Sequence, residues 1–316
     1  MPADKPPFNC PVRVGVATVV IVLAVRTACV VGVRAAGHAE LVRVVAADVL
    51  HGNAVLQVPS CAIPLIISII QQMCSFTNMV DIHCHILPDV DDGSRSWEMT
   101  TEMCHIAADD GIRHIVATPH CNHEFAYDRQ RCEAMLGELR EASRGRVEFS
   151  IGCDFHFSYE NLRDVIKNPT RYTINDTRYL LIEFSDYGIP PNTNEYLFLL
   201  ASRGMVPIIT HPERNPLFVR HPQKVLHLIG AGALVQLTAN SITGFWGAQA
   251  KSLSEWLLKQ GAVHVIASDA HDPWHRRPVL SEARFAIAKL LGEDAAEDLI
   301  LNNPQAIVDG RPLSGL

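Results

Sequence analysis

Among the 316 residues there is no Cys-x-x-Cys pair, and no cysteine is followed by an arginine six positions on. The first absence removes the common thiolate-zinc and dithiol redox signatures. The second removes the Cys-x5-Arg phosphate loop of thiol-dependent tyrosine phosphatases. The nine cysteines are odd in number and scattered, so no disulfide framework is indicated and a reducing cytoplasmic setting is expected. Long hydrophobic runs are also missing. Residues 14–25 are apolar until Arg26 interrupts them, and residues 63–70 contain Pro64; both fall short of the roughly 20 residues of a membrane-spanning helix. Nor does a Gly-x-Gly-x-x-Gly turn follow the first strand candidate of the main domain, which disfavours an open dinucleotide-binding sheet.

Positive charge is scarce where it would be needed for nucleic-acid binding. Residues 79–316 hold 22 Lys/Arg against 31 Asp/Glu, a formal charge of −9, whereas residues 1–78 hold five and three. A polyanionic backbone is a poor partner for such a surface. This change in composition divides the chain at Met79. Residues 1–78 read as an N-terminal extension without a packed fold, translated from a start earlier than Met79; a targeting segment or a small accessory element is the alternative. Residues 79–316 read as the functional domain, which is within the size of a single α/β barrel.

From Met79 onward, β-branched apolar runs alternate with helix-period segments, as in parallel strands joined by helices. Seven strand candidates fall at 80–82, 112–117, 147–151, 179–184, 206–210, 233–237 and 263–267. Ser96 is placed to cap a helix that Gly111 closes, and residues 250–260 carry Leu253, Trp256 and Leu257 on one face before Gly261. Met135, Leu139 and Trp256 read as core. A seven-stranded parallel sheet closed into an irregular barrel accounts for this pattern better than an open sheet.

In such barrels the chemistry sits at the carboxyl ends of the strands. Strand one ends in Asp81-Ile82-His83-Cys84-His85, where His83 and His85 project to the same side and Cys84 to the other. A Pro-Asp-Val-Asp-Asp-Gly loop follows, with Asp92 near its end. The other strand ends carry His120, Asp154, Glu183, His211 and the pair Asp269 and His271; only strand six, ending Thr238-Ala239-Asn240, offers no strong ligand. Imidazole and carboxylate donors suit Zn²⁺, Mn²⁺ or Fe²⁺. Nine such groups are too many for one ion; with bridging carboxylates they could hold two or three, a cluster suited to phosphate-ester hydrolysis. Arg214 and Arg276 follow His211 and His271 by three and five residues and can clamp phosphate through paired hydrogen bonds.

These motifs, with Ala117-Thr118-Pro119-His120, Leu181-Ile182-Glu183-Phe184, Thr210-His211-Pro212-Glu213-Arg214 and Ala267-Ser268-Asp269-Ala270-His271, resemble the polymerase and histidinol phosphatase (PHP) superfamily. Within it they resemble the capsule-locus metal-dependent protein tyrosine phosphatases of bacteria, from Met79 to about Leu313. The resemblance implies a distorted (β/α)7 barrel of the PHP type. It implies two or three ions, Mn²⁺ above Fe²⁺ or Zn²⁺, on His83, His85, Asp92, His120, Asp154, Glu183, His211, Asp269 and His271. Arg214 and Arg276 would bind the phosphoryl group attacked by a metal-bound hydroxide. The implied partner is a phosphotyrosine protein, the tail of a tyrosine kinase of polysaccharide export, with membrane contact only through that kinase.

Two positions depart from the family pattern. Asp154 stands where Glu is more frequent, with His156 two residues on and able to compensate. Cys121 stands where a second His is frequent, and reads as an inert thiol. A small-molecule phosphatase of the histidinol-phosphate type is the alternative enzyme; a metal-stabilised module that binds a kinase tail without turnover is the alternative outside catalysis.

Overall fold

The computed structural model describes residues 78–313 throughout and, before them, the backbone of four strands: β1 (Thr18–Ala24), β2 (Ala28–Arg34), β3 (Leu41–Asp48) and β4 (Gly52–Pro59). The chain divides into two units, Met1–Ser75 and Phe76–Leu316. In the first, β1 to β4 pair antiparallel in sequence order, with Val20 opposite Gly32 and Val44 opposite Leu56. Runs such as Thr-Val-Val-Ile-Val favour extended backbone because branched side chains fit a pleated surface. These strands lie within the segment expected to lack a packed fold, and β1 occupies the apolar run at 14–25. The second apolar run, 63–70, lies outside the described residues.

The second unit carries β5 (Met79–Cys84), β6 (Ile112–Ala117), β7 (His120–Cys121), β8 (Glu148–Ile151), β9 (Asp154–His156), β10 (Tyr179–Glu183), β11 (Val206–Thr210), β12 (Leu234–Thr238) and β13 (Val265–Ala267). All are parallel to their neighbours and, except between β6 and β7 and between β8 and β9, are joined by helices; strands occur at each of the seven candidate positions. Their ladders run β5-β6-β8 and β13-β12-β11-β10-β9-β7, and a parallel bridge from Cys84 to Ala270 joins the end of β5 to the segment after β13. Two of the candidate strands break and resume. After Ala117, Pro119 has no N–H to give a ladder. After Ile151, the backbone passes so close to Val116, Thr118 and Ile174 that a Cβ on Gly152 would meet their side chains at 3.1–3.2 Å. Chain continuity and the bonds from Gly152 N to Ala117 O (2.9 Å) and Asp154 N to Pro119 O (3.1 Å) carry one ladder into the other.

Alternation along the strands sorts their side chains into two apolar layers. Tyr179, Leu181, Ile208, Leu234, Val265 and Ala267 pack with Ala306, Ile307 and Val308 of the C-terminal helix. Leu180, Ile182, Ile209, Val235, Leu237 and Ile266 face the surrounding helices. Helix ends follow the sequence signals. Ser96 accepts from Met99 N at the start of Trp97–Asp110, and Gly111 ends that helix at φ 99°. The helix expected at 250–260 spans Gly247–Lys259, and Leu139, Met135 and Trp256 belong to the core or pack against it. Among the described residues, no helix is long and apolar enough to cross a membrane.

Candidate metal centre

The end of β5 is pinned to the segment after β13. Asp269 N donates to His83 O and His85 N to Ala270 O, each at 2.8 Å, while the β5–β6 register shifts between Asp81 and Cys84. Such an irregularity re-aims the side chains at a strand end. Beneath it, Asp81 is fully buried and accepts from Ser268 N (3.0 Å), Ser268 Oγ (2.5 Å) and His83 N (3.3 Å). Burial raises its carboxyl to about 6 against those hydrogen bonds. Asp81 thus works as a bracket between the first and last strands.

Gly93 closes the loop that bears Asp91 and Asp92. A Cβ there would lie 2.2 Å from His85 O and 2.5 Å from His85 Cβ, a backbone clash that no rotamer relieves. Gly93→Ala is therefore expected to destabilise the fold by about 1–3 kcal/mol, as overpacking does. It should also displace His85. Chemical unfolding and metal titration of the variant check both.

All nine sequence-selected donors converge on the carboxyl-end rim, and three overlapping sets have ligand atoms within 4.8 Å of one another: His85, Asp92, His120 and His271; His83, His85 and Asp154; His120, Asp154 and Glu183. Asp154 and His120 each belong to two sets, as does His85. His83 Nε2 and His85 Nε2 are 3.2 Å apart, and Asp154 Oδ2 lies 3.6 Å from the former and 3.1 Å from His120 Nδ1. Asp92 Oδ1 is 3.4 Å from Nε2 of both His120 and His271. The remaining two stand beside these sets. His211 Nε2 is 3.5 Å from Glu183 Oε1, and Asp269 Oδ1 is 3.5 Å from His83 Nε2 and from His85 Nε2. His156 also reaches the rim, its Nδ1 3.8 Å from Glu183 Oε2.

The donor set fits divalent cations on three counts. Both carboxylate oxygens of Asp154, His120 Nδ1 and His271 Nε2 are buried without a hydrogen-bond partner. Buried polar atoms are rarely left so. Second, the Nδ1 atoms of His83, His85 and His271 each donate to a fixed oxygen: Gln236 Oε1 (3.1 Å), Asp91 Oδ2 (2.7 Å) and Asp269 O (3.1 Å). That tautomer leaves Nε2 as the lone-pair donor toward the centre, the arrangement metal-binding histidines use. Third, the charges are compensated by protons that a cation would displace. Burial opposes the charged rings of His83 and His120, but the Asp154 and Asp269 carboxylates raise His83 to about 9, and the close Asp154 and Asp92 carboxylates raise His120 to about 11. Desolvation opposes the charge of Asp154, but the nearby His83 and His120 rings overcome it and hold the carboxyl well below the usual range.

Asp91 and Gln236, which lie off the strand-end ligand pattern, fix the His85 and His83 rings. Asp91 sits in the Asp-Asp-Gly loop and orients His85 while accepting from His120 N at 3.1 Å. Gln236 lies on β12, the strand judged to lack a ligand; its signal is a polar side chain inside Leu-Val-Gln-Leu-Thr, fully buried. Gln236→Leu removes the acceptor that fixes the His83 ring. Its metal affinity should fall about 10–100-fold, the usual cost of losing such a partner. Competition titration against a chelator measures this.

Arg214, on the turn Pro212–Arg214 after β11, and Arg276, on the loop after β13, both bond Asp269 Oδ2, Arg276 at 2.7 Å. Asp269 therefore faces the histidines with one oxygen and the guanidinium groups with the other. Two strained positions support this: His211 (φ 33°) and Asp269 (φ 51°) both adopt left-handed backbone. Non-glycine residues in that region cost about 1–3 kcal/mol and cluster at functional sites. Cys121 is buried, with its Sγ 3.7 Å from Asn161 Oδ1.

A parallel α/β domain with a histidine and carboxylate centre able to hold several divalent cations, flanked by two arginines, defines the class. The chain belongs to the CpsB/CapC family, described as capsular polysaccharide synthesis, which it matches over residues 79–309. CapC of Staphylococcus aureus is 35% identical over 240 residues, 75% of this chain and 93% of its own length. Tyrosine-protein phosphatase YwqE of Bacillus subtilis is 33% identical over 222 residues, 68% of this chain and 86% of its own. A crystal structure among those of Bacillus subtilis YwqE and Streptococcus pneumoniae CpsB, described as unique metal-dependent tyrosine phosphatases, is similar with a TM-score of 0.69 at 31% identity. That match covers 74% of this chain and 96% of the other.

Proposed function

We propose that this protein is a metal-dependent phosphatase of protein phosphotyrosine acting in capsule or exopolysaccharide synthesis. The observation that carries the reading is the buried, unpartnered Asp154 carboxylate shared by two of the three donor sets, beside two arginines tied to a common Asp269. Family membership and the activity named for YwqE support the same chemistry. Residues 79–316 are taken as the catalytic domain, a distorted PHP-type barrel interrupted where its ladders divide.

His83, His85, Asp92, His120, Asp154, Glu183, His211, Asp269 and His271 would hold two or three ions, and their imidazole and carboxylate donors suit Mn²⁺, with Fe²⁺ or Zn²⁺ as alternatives. Such ions, when bound, lower the pKa of coordinated water toward about 7 and act as Lewis acids on phosphoryl oxygens. Gln236 and Asp91 hold the His83 and His85 rings with Nε2 inward. Arg214 and Arg276, each with one bond to Asp269 Oδ2, have further N–H groups to offer phosphoryl oxygens as charge develops in transfer. A phenolate is a fairly good leaving group, so no strong general acid is required of the chain. The substrate would be the tyrosine-rich tail of a cytoplasmic-side tyrosine kinase of polysaccharide export.

Relative kcat/KM of the full-length, Mn²⁺-loaded protein on a phosphotyrosine peptide and on histidinol phosphate tests the substrate class. A preference of at least about tenfold for the peptide, roughly 1.4 kcal/mol, is expected. Preference for histidinol phosphate, or tail binding without turnover, would overturn the assignment.

A further inference from the structure

The arginine pair rests on an aromatic side chain whose role follows from strand order. β12 lies between β11 and β13 in the ladder, so the segment after β12 is flanked by the segments that carry Arg214 and Arg276. That segment turns through Gly244 (φ 98°) and Gly247 (φ 88°), left-handed positions that glycine adopts without strain, and between them it presents Phe245 and Trp246. Phe245 N donates to Asn240 O at 2.9 Å, fixing the turn. The Trp246 ring lies under both guanidinium groups, 4.4 Å from Arg214 Cζ and 5.5 Å from Arg276 Cζ. Phe245 braces it edge-on, with ring centroids 5.4 Å apart and an interplanar angle of 87°.

An indole face attracts a guanidinium through its quadrupole and accepts none of its in-plane N–H groups. A carboxylate in the same place would occupy those donors. Asp269 Oδ2 is already shared by the two arginines, so an acid in place of Trp246 would take up further N–H groups and leave fewer for an incoming phosphate. Trp246 instead holds the cations close to one another while keeping their remaining donors available. At 36% exposure it also reaches the solvent edge of the rim, and Phe245 is 53% exposed beside it.

We propose that Trp246 is the positioning residue of the phosphate clamp, an aromatic plate that holds Arg214 and Arg276 with free N–H groups directed to a phosphate monoester. This rests on the phosphatase reading above, and extends it to a residue outside the metal and arginine set. The probes are inorganic phosphate binding by calorimetry and the separate kcat and KM for a phosphotyrosine peptide, on full-length, metal-loaded Trp246→Ala, Trp246→Leu and Trp246→Phe. Loss of two cation–π contacts is expected to weaken phosphate binding and raise KM about tenfold in the Ala and Leu variants, with metal content and thermal unfolding unchanged. The Phe variant should recover most of the loss, because it restores a π face; Leu supplies apolar bulk alone. Equal behaviour of Leu and Phe, or wild-type phosphate binding by the Ala variant, would overturn the proposal. If the wild-type protein fails to turn over the peptide, the phosphatase reading fails, while the phosphate isotherms still decide the role of Trp246.

Discussion

Asp154→Asn is expected to abolish turnover, lowering kcat/KM by about 10³-fold or more, and to strip the protein of at least one ion. Asp154 is the carboxylate common to the sets around His83 and His120, and neither of its oxygens has a hydrogen bond within the protein. The amide keeps the shape and loses the charge. It also turns an N–H₂ toward ring nitrogens 3.1 and 3.6 Å away, where an acceptor is needed. A loss of about 4 kcal/mol of transition-state stabilisation corresponds to that factor, and Lewis-acid and nucleophile effects of a bound ion are of this size. The fold should survive, because the substitution leaves no new buried charge. Asp154→Glu keeps the carboxylate on a side chain one methylene longer and should retain metal, with His156 close to Glu183 in either case. Metal analysis by mass spectrometry and circular dichroism on the same preparations separate lost ligation from lost folding.

The second large effect is expected at the clamp. Arg214→Lys keeps a positive charge beside Asp269 but loses the planar fork and the fit to the Trp246 face. kcat should fall about 10²- to 10³-fold, the range found when one donor to a developing oxyanion is removed. Metal content should not change, which distinguishes this variant from Asp154→Asn. Burial opposes the charge of Arg214, and the Asp269 and Glu213 carboxylates outweigh that and hold it protonated; Lys, with a more adaptable pKa, is a poorer cation in the same place. Single-turnover rates and inorganic phosphate affinity on the variant check the assignment. Unchanged kcat would remove Arg214 from phosphoryl transfer.

Much of this centre was legible in the residues because its donors sit at strand ends and strand ends announce themselves. Each of His83, His120, Glu183, His211 and Asp269 follows an apolar β-branched run, so a parallel α/β order brings them to one rim. The bracket of Asp81 on Ser268 joins residues 187 positions apart, and no local pattern reveals such a bond. Gln236 is not legible in the sequence, because a lone amide in an apolar strand carries no ligand signature, although its burial demands a partner. Trp246 lies outside every motif, and its place between the arginines appears only once β12 is known to separate β11 and β13. The division into two ladders was not legible as such: it falls where Pro119 and Gly152 interrupt the strands just before His120 and Asp154. In the N-terminal segment, valine-rich runs form strands β1 to β4, as their branched side chains favour.

The most direct test measures metal stoichiometry and phosphotyrosine-peptide turnover together on the full-length protein, before chelation, after exhaustive chelation and after adding back Mn²⁺. Two or three ions per chain, activity that vanishes on chelation and returns with metal, and loss of both in His83→Ala are the expected results. Turnover that persists in the chelated protein and in His83→Ala would contradict the account.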